Sequence, residues 1–275
     1  MKKVKSGIKG VIIFLICVLE VYPLFWMLTA SLKQQHEWSD NPAYALNEGF
    51  YFENYVDAWT RGNMSTYFLN SLICTVVSLL FIVIFATTVG FAVTKMKWKM
   101  KDTEAKIFSL GIMIPVATCL IPLFQIYNRT GLLNTRICLI ITYIAFGLSL
   151  SIYLVQGYLR SFPDDIMEAA VIDGCGIYKM MWHIVVPLMK NAIVTVLVLQ
   201  FFFKWNDLLF SMTFISDSSL KTVQTGLLYF SDEFGNKNWG AIFASVSMSV
   251  FPMLLVYMGL NKKVMEGMTA GAVKG

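Results

Sequence analysis

Six apolar runs, each long enough to cross a bilayer, occupy most of this 275-residue chain. About 20 apolar residues carry a helix through the hydrocarbon. The runs lie at about residues 8–32, 67–94, 107–128, 137–159, 192–215 and 239–261. Lipid offers no hydrogen bonds to backbone amides, so apolar segments of this length span as helices. The expected fold is therefore an all-α membrane protein with six transmembrane helices in one domain over residues 1–275. The charge content agrees. Only 14% of residues are charged, against about a quarter in soluble proteins.

The first run follows a lysine-rich start, MKKVK, so a signal peptide has to be considered. The run is too long for a signal core and has no convincing A-x-A site, which predicts a retained span. The uncharged stretch 62–94 exceeds one span, so its beginning reads as an external approach.

Lysine and arginine set orientation, because positive loops stay in the cytoplasm. With the N-terminus inside, 15 of these residues fall on the inner side and six on the outer, with Lys204 inside a run. Both termini are predicted to be cytoplasmic. The net charge of +5 does not point to nucleic acid, since the lysines sit between apolar runs. The five cysteines form no CxxC pair and read as small apolar side chains. His183 has no second His or Cys at ligand spacing, so no metal is expected.

The connections differ in kind. Residues 33–64 are external and rich in aromatics and acids, and predict a short amphipathic helix. Residues 216–238 are external, polar and glycine-containing. The tail, 262–275, reads as small, flexible and basic.

The inner loop at 161–187 carries the strongest pattern, SFPDDIMEAAVIDGCGIYKMMWHIVVP. Pro163 suits the first turn of a helix, and Asp164 and Asp165 complement its positive end. Ile166, Ala169, Ala170 and Val171 form an apolar, small-residue stripe. Gly174 and Gly176 break the chain, a second helix starts at Ile177, and Pro187 marks the start of the fifth span. Capping the bundle and docking a partner are both open to such a helix. Glu168, Ala169 and Ala170 supply an acid and small residues for close approach.

These residues resemble the EAA loop of binding-protein-dependent ATP-binding-cassette (ABC) importers. Glu168, Ala169, Ala170, Asp173 and Gly174 match it, with Ile184, Val186 and Pro187 at its far end. Cys175 stands where alanine is usual and Val186 where leucine is usual. YPLFWMLTASLK, Asn54–Tyr55, Asn70–Ser71, Trp205–Asn206–Asp207 and the ending GMTAGAVKG extend the likeness over almost the whole chain. The ending is similar to that of the smaller permease of maltose-transporter-type carbohydrate importers.

The resemblance implies a type I importer permease of the bacterial inner membrane, carrying a di- or oligosaccharide by alternating access. It implies a second related permease, two ATPase subunits docked at Glu168 and its neighbours, and an extracellular solute-binding protein. Residues 216–238 would probe that protein. This chain would be no enzyme and hold no cofactor. It has no G-x-x-x-x-G-K-[ST] phosphate loop, so ATP and magnesium would belong to the partner ATPase. Another solute such as glycerol phosphate is the alternative cargo. An ATPase-independent secondary transporter is the alternative mechanism, and a scaffold subunit a third reading, but neither of these two explains the loop.

Three further residues are candidates for the translocation path. Glu20, midway along the first span, needs a polar partner or cavity. Lys204 and Asp207, read as one helical turn apart in the fifth span, suit a local ion pair or the path itself. Trp205 beside them reads as an interfacial anchor. Pro115 and Pro122 are expected to kink the third span.

Overall fold

The computed structural model describes residues 2–42, 44–233 and 238–272. Among them the regular elements are all helical: α1 (Lys2–Ala30), α2 (Glu37–Asp40), α3 (Glu53–Thr60), α4 (Met64–Lys95), α5 (Lys101–Gly111), α6 (Val116–Thr130) and α7 (Arg136–Leu159). There follow α8 (Asp165–Ile172), α9 (Ile177–Met180), a π-helical turn (Met181–Val185), α10 (Val186–Leu188), α11 (Lys190–Trp205), α12 (Leu209–Phe214), a 3-10 turn (Ser218–Leu220), α13 (Val223–Glu233) and α14 (Trp239–Ala272).

Four helices contain segments long and apolar enough to span: Lys9–Ala30, Met64–Lys95, Arg136–Leu159 and Trp239–Lys262. Two bent pairs raise the number to six if each pair is one span. The third run is not one kinked helix. Lys101–Gly111 and Val116–Thr130 meet at 98°, with Pro115 extended at the start of α6 and Pro122 inside it. A proline N-cap explains the break, since Pro115 disfavours helical backbone at the residue before it. The second bend, 75°, separates Ile177–Leu188 from α11.

The fifth run is also interrupted. α11 ends at Trp205 and α12 begins at Leu209, so Lys204 and Asp207 do not share a helix. After Asn261 the chain stays helical through Ala272 instead of becoming a flexible tail. Its last three residues, like Gly235 of the 216–238 segment, lie outside the described residues.

The chain divides into two compact units. In the first, Met1–Ser65 with Gly226–Pro252, Asn54 is the hub. Its buried amide donates to the carbonyls of Ser31 (2.9 Å) and Lys33 (2.8 Å), and Gly240 lies against it where any Cβ would collide. Trp38 stacks on Phe243 at 5.3 Å, and Trp26 meets the same ring edge-on. The expected short helix of the 33–64 segment is present as α3, with α2 before it. α1 itself is bare, since no residue of its most apolar window is buried.

The second unit, Thr66–Thr225 with Met253–Gly275, has two apolar cores. One joins Ile82, Ala86, Ile152, Val155 and Val196 of α4, α7 and α11 to the 161–189 loop. Close approach is needed there. A Cβ on Gly147 would stand 2.5 Å from Ile82 Cδ1 and 3.1 Å from Gln200 Oε1. The other core gathers Cys74, Tyr127, Cys138, Tyr143, Phe210 and Phe214.

Candidate functional site

The 161–189 loop is built from local rules. α7 ends at Leu159, and Pro163 stands just before α8, with Asp164 at the N-cap, instead of inside its first turn. Asp164 does not cap with its side chain; its backbone carbonyl accepts from Met167 and Glu168. At the other end Gly174 adopts φ +71°, a left-handed conformation that glycine takes without a Cβ penalty. The Cys175 amide donates to Ala170 O (2.9 Å) and the Gly174 amide to Val171 O (3.0 Å). This pair of bonds is a Schellman stop. The glycine that follows Glu168 in the motif therefore has a physical role, since it ends α8 after two turns.

The predicted stripe splits in two. Ala170 is buried, and Ile166 and Met167 are half-buried, while Ala169 and Val171 face outward. A short helix with a core behind it buries one narrow face, and Ala170 and Met167 take it within the core that includes Phe91, Met180 and Val185. The outer surface carries Glu168, Ala169, Asp173, Ile172 (84% exposed) and Tyr178 (78%). Such an exposed apolar patch beside acids is the usual mark of an interaction site.

Beyond Gly176 the chain runs helically to Leu188, with Pro187 in the turn after the π-helix. A proline lacks the N–H of the ordinary ladder and crowds the carbonyl four residues back. The wider turn directly before it relieves that crowding. Pro187 is exposed and precedes the 75° bend by two residues, as Met189 is buried at the corner.

A groove of about 720 Å³ lies between α8 and the end of α4, lined by Phe91, Lys95, Lys97, Met167, Glu168 and Met180 among others. Lys95 closes one side. Its Nζ donates to Phe162 O (2.8 Å) and Asp164 Oδ1 (2.6 Å). The Lys95 side chain is only 8% exposed and that of Asp164 76%. The ammonium holds the Asp164 carboxyl below its usual range, through the hydrogen bond first and its charge second. Five lysines at 95–106 look alike in the sequence, and only the three-dimensional arrangement singles this one out.

The three path candidates fall in separate places. Glu20 is exposed on α1. Lys204 is buried in the last turn of α11, its Nζ 5.6 Å from the Tyr143 ring centre. Asp207 does not form the expected direct pair with it. Its carboxylate accepts from Tyr143 Oη (2.8 Å) and from the amides of Phe210 (3.2 Å) and Ser211 (3.0 Å), so it caps α12. Trp205 is 1% exposed, stacked on Phe201 and edge-on to Phe68, not an interfacial anchor.

Opposite the loop, α4 carries a polar hub that the sequence marked only by resemblance. Asn70 is fully buried and its amide donates to the carbonyls of Ser219 (2.9 Å) and Lys221 (3.0 Å). Arg136 Nε donates to Asn70 Oδ1 at 2.8 Å, and the Val223 amide donates to Ser71 Oγ at 2.8 Å. The five cysteines are free, and no metal-binding group occurs among the described residues.

The family model described as binding-protein-dependent transport system inner membrane component matches residues 86–268. The chain is 30% identical over 254 residues to the melibiose/raffinose/stachyose import permease protein MelC of Bacillus subtilis, covering 92% of this chain and 91% of that protein. It is 29% identical over 270 residues to the diacetylchitobiose uptake system permease protein NgcG of Streptomyces coelicolor, covering 98% and 89%. It is 30% identical over 270 residues to the inner membrane ABC transporter permease protein YcjP of Escherichia coli, covering 97% and 95%. A chain from the crystal structure of a bacterial ABC transporter involved in the import of the acidic polysaccharide alginate has the same fold. The TM-score is 0.83 at 19% identity, over 94% of this chain and 96% of that one.

Proposed function

The chain belongs to the family of binding-protein-dependent transport system inner membrane components, and we propose that it is the sugar-translocating permease subunit of an ABC importer. It is a multi-pass inner-membrane transport component. Its coupling to a separate ATPase runs through the 161–187 loop, and it passes a di- or oligosaccharide by alternating access. The sugar class rests on relatives such as MelC and NgcG, whose names are those of sugar permeases.

One observation carries the docking assignment. α8 is anchored by Ala170 and Met167 and stopped by Gly174, yet it leaves Glu168, Ala169 and Ile172 uncovered. A rigidly seated helix with a free acid and a small-residue approach is suited to a cleft on another protein. Packed interfaces of this kind shift between discrete arrangements and so transmit motion. ATP and magnesium sit on that partner. The lysine bias puts this loop on the cytoplasmic side, where an ATPase works.

A second permease is the natural cover for α1, whose central window buries nothing within its own chain. Glu20 then meets a polar group of that chain or the translocation path. The solute-binding protein docks at the opposite side, near the segment held by Asn70. Lys204 and Asp207 are occupied by the α11–α12 corner, which favours a structural role over lining the path.

The test is assembly. Glu168→Lys and Gly174→Asp are expected to leave the subunit inserted but to lose ATPase subunits on purification of the complex. A fully loaded, transport-active complex from either variant refutes the docking assignment.

A further inference from the structure

α4 is one unbroken helix, and both of its ends are tied to functional loops by buried polar side chains. At one end Lys95 holds Phe162 O and Asp164, the two residues that flank Pro163 at the start of the docking loop. At the other, Asn70 holds the carbonyls of Ser219 and Lys221, and Ser71 accepts from the Val223 amide. The two anchor points stand about 37 Å apart along a helix that rises about 1.5 Å per residue. No proline interrupts Met64–Lys95. Prolines do occur inside α1, α6 and α14.

We propose that α4 is a strut that passes movement of the docking loop to the 216–223 segment on the opposite side of the membrane, with Lys95 and Asn70 as its positioning residues. This rests on the assignment of the docking loop to an ATPase, and it adds the route by which the motion leaves that loop. The physical reasons are the types of fastener. Both ends grip backbone carbonyls, which move with the chain itself instead of with a mobile side chain. Both are sheltered, Lys95 at 8% side-chain exposure and Asn70 at 0%. A charge-assisted bond such as Lys95 to Asp164 is stronger than a neutral one. Between them the α4 helix packs at Ile82 and Ala86 against the core that also holds α8, so it shifts as a body.

Coupled sites commonly influence each other about fivefold or more, and the strut requires a response of that order at its far end. Ser218, exposed in the tied segment, is the place to read it. In the complete importer, with native cysteines replaced, S218C is labelled with an impermeant maleimide before and after trapping with ATP, magnesium and vanadate. Trapping is expected to change the labelling rate by about fivefold or more. Lys95→Met and Asn70→Ala are each expected to abolish that change, read on purified complexes that carry both ATPase subunits. The double variant is expected to add nothing, because both interrupt one line. Asp164→Asn, at an exposed position that leaves the Phe162 bond intact, is expected to reduce the change without abolishing it.

An undiminished change in Lys95→Met overturns the strut, as does an undiminished change in Asn70→Ala. If Lys95→Met does not assemble, an undiminished response in Asp164→Asn overturns it. Retention of ATPase by Glu168→Lys refutes the docking assignment separately, so the two failures are distinguishable.

Discussion

Tyr143 donates its hydroxyl to Asp207 Oδ2 at 2.8 Å and joins the middle of α7 to the corner between α11 and α12. Tyr143 is 1% exposed, so its hydroxyl has no water to turn to. The same carboxylate receives two backbone amides. The bond therefore fixes the point at which the fifth apolar run leaves its helix.

Tyr143→Phe removes the hydroxyl and leaves the ring. It is expected to lower stability by about 1–3 kcal/mol, the usual result of leaving a buried acceptor short of one donor. Asp207→Leu is expected to cost more, because the first turn of α12 also loses its cap. Thermal unfolding of the purified subunit complex in detergent checks both. Equal unfolding temperatures for wild type and Tyr143→Phe would show the bond to be idle.

Gly147 and Gly157 lie on the same helix and make a matched pair. A Cβ at Gly147 meets Ile82 and Gln200, whereas one at Gly157 meets nothing within 4 Å. Gly147→Ala is expected to force α7 away from α4 at about 1–3 kcal/mol, the range for overpacking. Gly157→Ala is expected to be neutral or slightly stabilising, since alanine is the better helix former. The difference in unfolding temperature between the two variants is the measurement.

The Lys95–Asp164 pair gives a signed pH response. The Asp164 carboxyl titrates below its usual value of 3.8 when paired. Its contribution to holding the loop is thus complete above that value and is lost as pH falls through the lowered one. Amide exchange in α8, corrected for intrinsic rates, is expected to be flat from neutral pH down to about 5 and to rise below about 4. Asp164→Asn is expected to remove that acid step. A step near neutral pH instead would assign the response to another group.

Much of the architecture was legible because hydrophobic length is a one-dimensional property. The long runs at 67–94 and 137–159 became α4 and α7, and Gly174 ended its helix as a glycine after a short amphipathic stretch should. What was not legible depends on folding in three dimensions. The Ala169–Ala170 pair has one composition and two fates, since only the core decides which side of a two-turn helix is inside. Lys95 is one of five lysines between 95 and 106, and its partners lie 67 and 69 residues away. Asp207 has the spacing of a helical partner for Lys204, yet α11 ends at Trp205 and Asp207 instead accepts from the amides of Phe210 and Ser211 in α12.

The bareness of α1 has an energetic consequence. Its window exposes twelve leucine, isoleucine, phenylalanine and valine side chains, each worth about 0.3–0.6 kcal/mol on insertion. A carboxylate at its midpoint, Glu20, costs about 2.5–3.5 kcal/mol. The surplus is favourable, so lipid alone retains this helix with no help from packing. What is left for association with another chain is to find Glu20 a partner and to exchange lipid tails for side chains. Holding the helix in place is already done.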